Sequence, residues 1–208
     1  MSLPMTVQTL PLDGPRLYSA PKEMLIDLSV VIPVHNEEDN AVPLYNEVKK
    51  ELEKTNLDWE CIIVDDGSSD RTSDLCQQEI EHQFPRGRLI TLEKNRGKGN
   101  ALRIGVAVAS SPVVITMDAD MATDLSAMEP AITGLQEHHI VVGSRSIKGS
   151  QTQGTTSARR FVTIGFSFFL RLLTKHKISD TQCGFKAYRS PVAKILFSSS
   201  RLKGFAQD

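Results

Sequence analysis

Asp118-Ala119-Asp120 closes the apolar run that begins at Pro112. Two carboxylates two positions apart, just past a buried strand, point the same way if the backbone stays extended, so both reach one hard cation. Mg²⁺ or Mn²⁺ takes one or two such carboxylates together with phosphate oxygens. It would there act as a Lewis acid on a departing diphosphate. The same tripeptide also suits a turn or a helix cap. Asp65-Asp66-Gly67 follows a second apolar run and leaves the same choice open. Asn95 to Asn100 holds two glycines, Gly97 and Gly99, and two cations, Arg96 and Lys98. That composition suits a bound phosphate or the entry to a helix. The GxxxxGK[ST] spacing is absent there, and no GxGxxG follows the first strand. The pattern therefore argues against a P-loop ATPase and a Rossmann dehydrogenase.

Positioning these groups is the task of alternating elements. DLSVVIPV (27–34), WECIIVDD (59–66), RLITLE (88–93), PVVITMD (112–118) and HIVVGSR (139–145) read as strands, the first a continuous apolar run expected of one buried on both faces. Between them, 38–54, Asp70 to about His82 with Asp70 as N-cap, 97–110 and Asp124 to about Glu137 read as helices. Strict alternation predicts an α/β fold with a mostly parallel sheet and helices on both faces. Ligands of such sheets bind beyond the carboxyl ends of the strands. Each of the five strands ends in polar or glycine residues, four of them in charge. Past Arg145 the alternation breaks. Residues 146–157 read as a polar loop, 159–175 as an apolar stretch, 183–189 as a short strand and 191–199 as a short helix opened by Pro191.

The chain has 208 residues, 40% hydrophobic and 24% charged, which is a globular composition. Three widely spaced cysteines without a CxxC pair argue against a disulfide scaffold or a structural zinc, and fit a reducing compartment. No signal peptide and no membrane-spanning run is visible. The net charge of −1 conceals a split: residues 1–137 carry 12 Lys/Arg against 23 Asp/Glu, and residues 138–208 carry 12 against two, Asp180 and Asp208. The basic third predicts an anionic partner, or else an internal interface with the acidic half.

The runs SVVIPVHNEE, IIVDDGSSDRT, NRGKGNAL, VVITMDAD and VVGSR, in that order, resemble the family 2 glycosyltransferases of GT-A fold over about residues 27–190. NRGKGNALRIG, MDADMATDLS and DTQCGFKAYR resemble the polyprenyl-phosphate branch. They look closer to dolichyl-phosphate β-glucosyltransferases than to the mannosyl enzymes, whose glycine turn usually lacks the lysine. The resemblance implies a Rossmann-like nucleotide-sugar-binding half (26–120) and an acceptor half (121–208) in one GT-A domain after a flexible segment (1–25). It implies inverting, metal-dependent transfer of a hexose from a nucleotide sugar, UDP-glucose rather than GDP-mannose, to a polyprenyl or dolichyl phosphate. Two alternatives stand beside it: a soluble saccharide as acceptor, and a nucleotide-sugar-binding module without turnover.

By motif, the resemblance places Pro33, His35 and Glu37 along the base and ribose, with Val64, Asp65 and Asp66 at the nucleobase and ribose. Asp118 and Asp120 would hold Mg²⁺ or Mn²⁺ and the diphosphate, the Ala119 backbone would lie beside the sugar, and Lys98 of the glycine turn joins the donor-binding set. Arg145 would reach the diphosphate or the acceptor phosphate. His35 stands where a tyrosine is commoner, Ala122 where mannosyl relatives often place a glutamine, and the chain ends in GFAQD where the family usually continues, so part of the acceptor site is expected to be missing.

Asp180, the lone carboxylate between His138 and Gln207, reads as a base or organiser at the acceptor site, or as a partner for nearby cations. His138, His139, Cys61 and Cys183 read as structural, and Trp59 as a strand-edge anchor. Residues 161–173 (FVTIGFSFFLRLL) are apolar nearly all round a helix, with Arg159, Arg160, Lys175 and Lys177 flanking them. Such a helix is buried in a core or laid on lipid. The expectation is peripheral contact through about 159–177 with the cytosolic face of a membrane, in the cytoplasm, with no nucleic acid as partner.

Overall fold

The computed structural model describes residues 6–9, 26–83, 87–120, 125–144 and 183–199. Its strands are β1 (Thr6–Thr9), β2 (Leu28–Val34), β3 (Trp59–Asp65), β4 (Gly87–Thr91), β5 (Val113–Thr116), β6 (Ile140–Ser144) and β7 (Lys186–Arg189). The helices are α1 (Glu38–Leu52), α2 (Thr72–Gln83), α3 (Lys98–Val108), α4 (Met128–Gly134) and α5 (Ser190–Ser199). One sheet joins the strands in the order β1-β6-β7-β5-β2-β3-β4.

β2 pairs in parallel with β3 and β5, and β3 with β4, as the alternation predicts. β7 lies antiparallel between β5 and β6, so β6 runs with the parallel set. β1, in a segment to which the sequence reading assigned no element, adds an antiparallel edge along β6. Neighbours β2 and β5 are separated in sequence by β3, β4 and α3, so the chain reverses its direction of sheet growth between them. A crevice opens beyond the strand ends at such a switch point.

Side chains alternate between the faces with a period of two. Val30, Ile32, Cys61 and Ile63 join a core with Leu44, Tyr45, Val48 and Leu52 of α1 and Met128 and Ala131 of α4. Val31, Ile62 and Val64 face the other way, into a core with Ala101, Leu102 and Val106 of α3 and Ala193 and Phe197 of α5. The buried stripe of α1 is Ala41, Leu44, Tyr45, Val48 and Leu52. Cys61, Cys76 and Cys183 are buried and in no disulfide; burial first, then neighbouring charge, pushes the Cys61 thiol up to about 12, and it is inert core.

Several elements are shorter than predicted, and two of them flank the Asp118–Asp120 segment. The helix expected from Asp124 to Glu137 is a 3₁₀ turn, Leu125–Ala127, followed by α4. Pro130 falls in the first turn, where its missing N–H is harmless. The far end tightens as Leu135 N–H bonds the Ile132 carbonyl at 3.1 Å and Gln136 N–H that of Thr133 at 3.0 Å. β5 stops at Thr116, where its pairing with β7 ends, although Met117 N–H still reaches the Val31 carbonyl at 3.2 Å. The loop expected at 146–157, the apolar stretch 159–175 and Asp124, the expected helix start, lie outside the described residues.

Candidate active site

Beyond the carboxyl ends of β2, β3, β4 and β5 lies a cleft of about 350 Å³, lined by Pro33, Val34, His35, Glu37, Asp66, Asn95, Gly97, Lys98 and Asp118–Asp120. Four of the five strand endings noted in the sequence therefore converge. Of the fifth, Gly143 and Ser144 end β6 and do not line the cleft, while Arg145 lies outside the described residues, as does Asp180.

The loops after β2 and β3 are laced together. Asn36, with φ 54 in the left-handed region that asparagine tolerates, donates its N–H to Ser68 Oγ at 2.9 Å and accepts the Ser69 N–H at 2.9 Å. Glu37 N–H bonds Thr72 Oγ1 at 2.8 Å. Asp70 closes the turn: its Oδ1 accepts the Thr72 N–H at 3.0 Å and the Thr72 hydroxyl at 2.6 Å, one position ahead of the cap predicted for it, since α2 starts at Thr72 and Leu75 N–H bonds the Arg71 carbonyl. Glu37 lines the cleft while its Oε2 accepts from Asn40 Nδ2 at 2.6 Å. His35 Nδ1 is buried without a hydrogen-bond partner.

The two aspartates after β3 part company. Asp65 is fully buried, with Oδ1 taking the Ser68 N–H at 2.9 Å and its hydroxyl at 2.6 Å; neither it nor Val64, packed in the core, lines the cleft. Asp66 does line it, but its carboxylate is spent on backbone. Oδ1 accepts the Arg96 N–H at 2.8 Å and Oδ2 the Gly97 N–H at 2.7 Å. Gly97 precedes α3 with φ 94, a conformation other residues rarely adopt. Asp66 thus fixes the glycine turn and, through it, the start of α3. Sequence reading assigned Asp66 to the ligand and missed this role; a DG turn has no signal for a partner thirty residues away.

Asp118 and Asp120 share the cleft, although Ala119 and Asp120 form a turn rather than an extended strand end. Asp118 Oδ1 pairs with Lys98 Nζ at 2.8 Å, the side chains 22% and 16% exposed. Behind Asp118 lies Gly184, where a Cβ would overlap both carboxylate oxygens. Gly184 was also missed; its place between Cys183 and the strand residues of DTQCGFKAYR was the available signal.

These residues fit a divalent cation. A resident ammonium already sits on Asp118, the glycine leaves the carboxylate room, and the donors are hard oxygens. Among the described residues no group of three or more His, Cys, Asp or Glu could hold an ion, so two carboxylates are what they offer, a set suited to an ion that keeps positions for phosphate oxygens or water.

Glycosyl transferase family 2 matches residues 29–197, spanning the whole cleft. The chain belongs to that family. Among curated relatives, the dolichyl-phosphate beta-glucosyltransferase of Mus musculus is 35% identical, over 93% of this chain and 63% of its own length. That of Dictyostelium discoideum is 33% identical, over 88% and 60%. This family 2 chain therefore spans about three fifths of the relatives it matches. Its fold is GT-A. Glucosyl-3-phosphoglycerate synthase from Mycobacterium tuberculosis, solved with Mn²⁺ and UDP, superposes with a TM-score of 0.58 at 18% identity, over 85% of this chain and 64% of that one. Mannosyl-3-phosphoglycerate synthase from Rubrobacter xylanophilus gives 0.58 at 17%, over 80% and 54%.

Proposed function

We propose that the protein is an inverting glycosyltransferase that moves glucose from UDP-glucose to a polyprenyl phosphate such as dolichyl phosphate. The observation that carries this reading is the cleft itself: Asp118, Asp120 and Lys98 meet beside Pro33, His35 and Glu37 beyond four strand ends. The names of the curated relatives supply the donor sugar and the acceptor class.

In this reading residues 26–120 hold the nucleotide sugar and 121–208 the acceptor. Pro33, His35 and Glu37 receive the base and ribose, and the buried Nδ1 of His35 finds in the nucleotide the partner it lacks in the protein. Asp118 and Asp120 hold Mg²⁺ or Mn²⁺, and Lys98 neutralises the diphosphate. When bound, the ion supplies Lewis-acid stabilisation of the leaving group. An acceptor phosphate oxygen attacks the anomeric carbon from the face opposite the diphosphate. The bond from that carbon to the diphosphate oxygen breaks, UDP leaves with the electron pair, and the anomeric configuration inverts. A phosphate dianion needs no base to attack, so Asp180 and Arg145 are assigned to orienting the acceptor. Among the described residues no helix is long and apolar enough to cross a membrane. Peripheral docking on the cytosolic face through 159–177 would bring the lipid phosphate to the cleft.

The test is incubation with labelled UDP-glucose, Mn²⁺ and a short polyprenyl phosphate. Label in the lipid with β configuration supports the reading. Binding of UDP-glucose without product leaves a binding module, and transfer to saccharides alone replaces the acceptor class.

A further inference from the structure

The Lys98–Asp118 ion pair has a consequence for the order in which ligands enter. Lys98 is the first residue of α3, and its backbone is held in place because Asp66, 3% exposed, bonds the N–H groups of both Arg96 and Gly97. From that anchored start the ammonium reaches Asp118 Oδ1 at 2.8 Å, within the cleft. An ammonium carries three donors and no acceptor, so it cannot share a divalent cation's site except through an anion. A cation arriving alone must displace Lys98 from the carboxylate or sit beside it against like-charge repulsion. A diphosphate changes that balance by offering Lys98 a second anionic partner and the cation further oxygen ligands.

We propose that Lys98 is a resident counter-ion of Asp118 that makes divalent-cation binding conditional on the nucleotide diphosphate. The cleft thereby resists loading with metal alone, and metal and donor enter as a coupled pair. Coupling is reciprocal, so the factor by which UDP tightens the metal equals the factor by which the metal tightens UDP. The inference rests on the proposed donor site and deepens it. Lys98 acts here as a positioning residue for the metal site as well as a contact for the donor.

The experiment titrates the full chain with Mn²⁺ alone, following free Mn²⁺ by electron paramagnetic resonance, and repeats the titration with saturating UDP. Wild type should bind Mn²⁺ weakly alone and at least about fivefold more tightly with UDP. Lys98→Met should bind Mn²⁺ alone about fivefold or more tighter than wild type, bind UDP alone more weakly, and Lys98→Arg should behave as wild type. Circular dichroism checks the fold of each variant, and Lys98→Gln replaces Lys98→Met if the latter does not fold. Equal or weaker Mn²⁺ affinity in the folded Lys98→Met or Lys98→Gln protein overturns the inference. So does a wild type that binds Mn²⁺ as tightly without UDP as with it, a result no variant is needed to see. Failure of wild type to bind UDP and Mn²⁺ together would instead remove the donor site on which the inference stands.

Discussion

Each end of the sheet carries a carboxylate held by a cation, and the two are treated in opposite ways. At the amino ends of the strands, Glu60 is 2% exposed and saturated. Its Oε1 accepts the Ser29 hydroxyl at 2.6 Å, the Ser110 N–H at 2.9 Å and the Ser110 hydroxyl at 2.8 Å, while Oε2 pairs with the Arg88 guanidinium. Burial alone would raise that carboxyl, but these hydrogen bonds together outweigh it and hold the group below its ordinary value. At the carboxyl ends, Asp118 lines a cleft, paired with the Lys98 ammonium and backed by a glycine that leaves it room. A charge that closes its own hydrogen-bond network stabilises a fold. One whose partner is exchangeable, in a cleft, is placed to hold a ligand.

The comparison breaks if the two ends respond alike. Asp120→Asn should lower turnover on the order of 10²–10⁴-fold, read as initial transfer rate, with the melting temperature unchanged. Glu60→Ala should do the reverse. It strands the Ser29, Ser110 and Arg88 donors and should cost on the order of 3 kcal/mol in a urea unfolding curve, with UDP affinity retained in the folded fraction.

The cleft side of this contrast was legible in the sequence, and the reasons for the remainder are physical. Strands β2 to β6 declared themselves by apolar runs, and the polar residues behind them declared the cleft, because parallel strands put their loops on one edge. β7 was legible as a strand but not as the one inserted between β5 and β6, since strand order depends on long-range pairing. β1 carries too short and too polar a run to be seen. Asp118 and Asp120 were found by spacing. Asp66 was placed in the site, but its hold on the glycine turn was not read, nor were Gly184 and the Glu60 network, because each acts through a partner distant in sequence: Gly97, Asp118 and Ser110.

Gly184→Ala sharpens the comparison with a smaller effect. The new Cβ must push the Asp118 carboxylate aside, which should weaken Mn²⁺ binding in the presence of UDP roughly 10–100-fold, by calorimetric titration, while Glu60's end of the sheet is untouched. The smallest effect is the pH dependence of stability. The lowered Glu60 value means that its contribution is present above the ordinary value of 4.5 and is lost as pH falls from there through the folded value. Wild type should therefore lose more melting temperature than Glu60→Gln on acidification below that point, and equal slopes would contradict the assignment.

The most direct test of the central claim is calorimetric titration of UDP, in Mn²⁺, into wild type, Asp118→Asn and Glu60→Gln side by side. UDP should bind wild type and folded Glu60→Gln alike and bind Asp118→Asn at least about tenfold more weakly. Undiminished UDP binding by a folded Asp118→Asn protein would contradict the claim that the carboxyl-end cleft is the donor site.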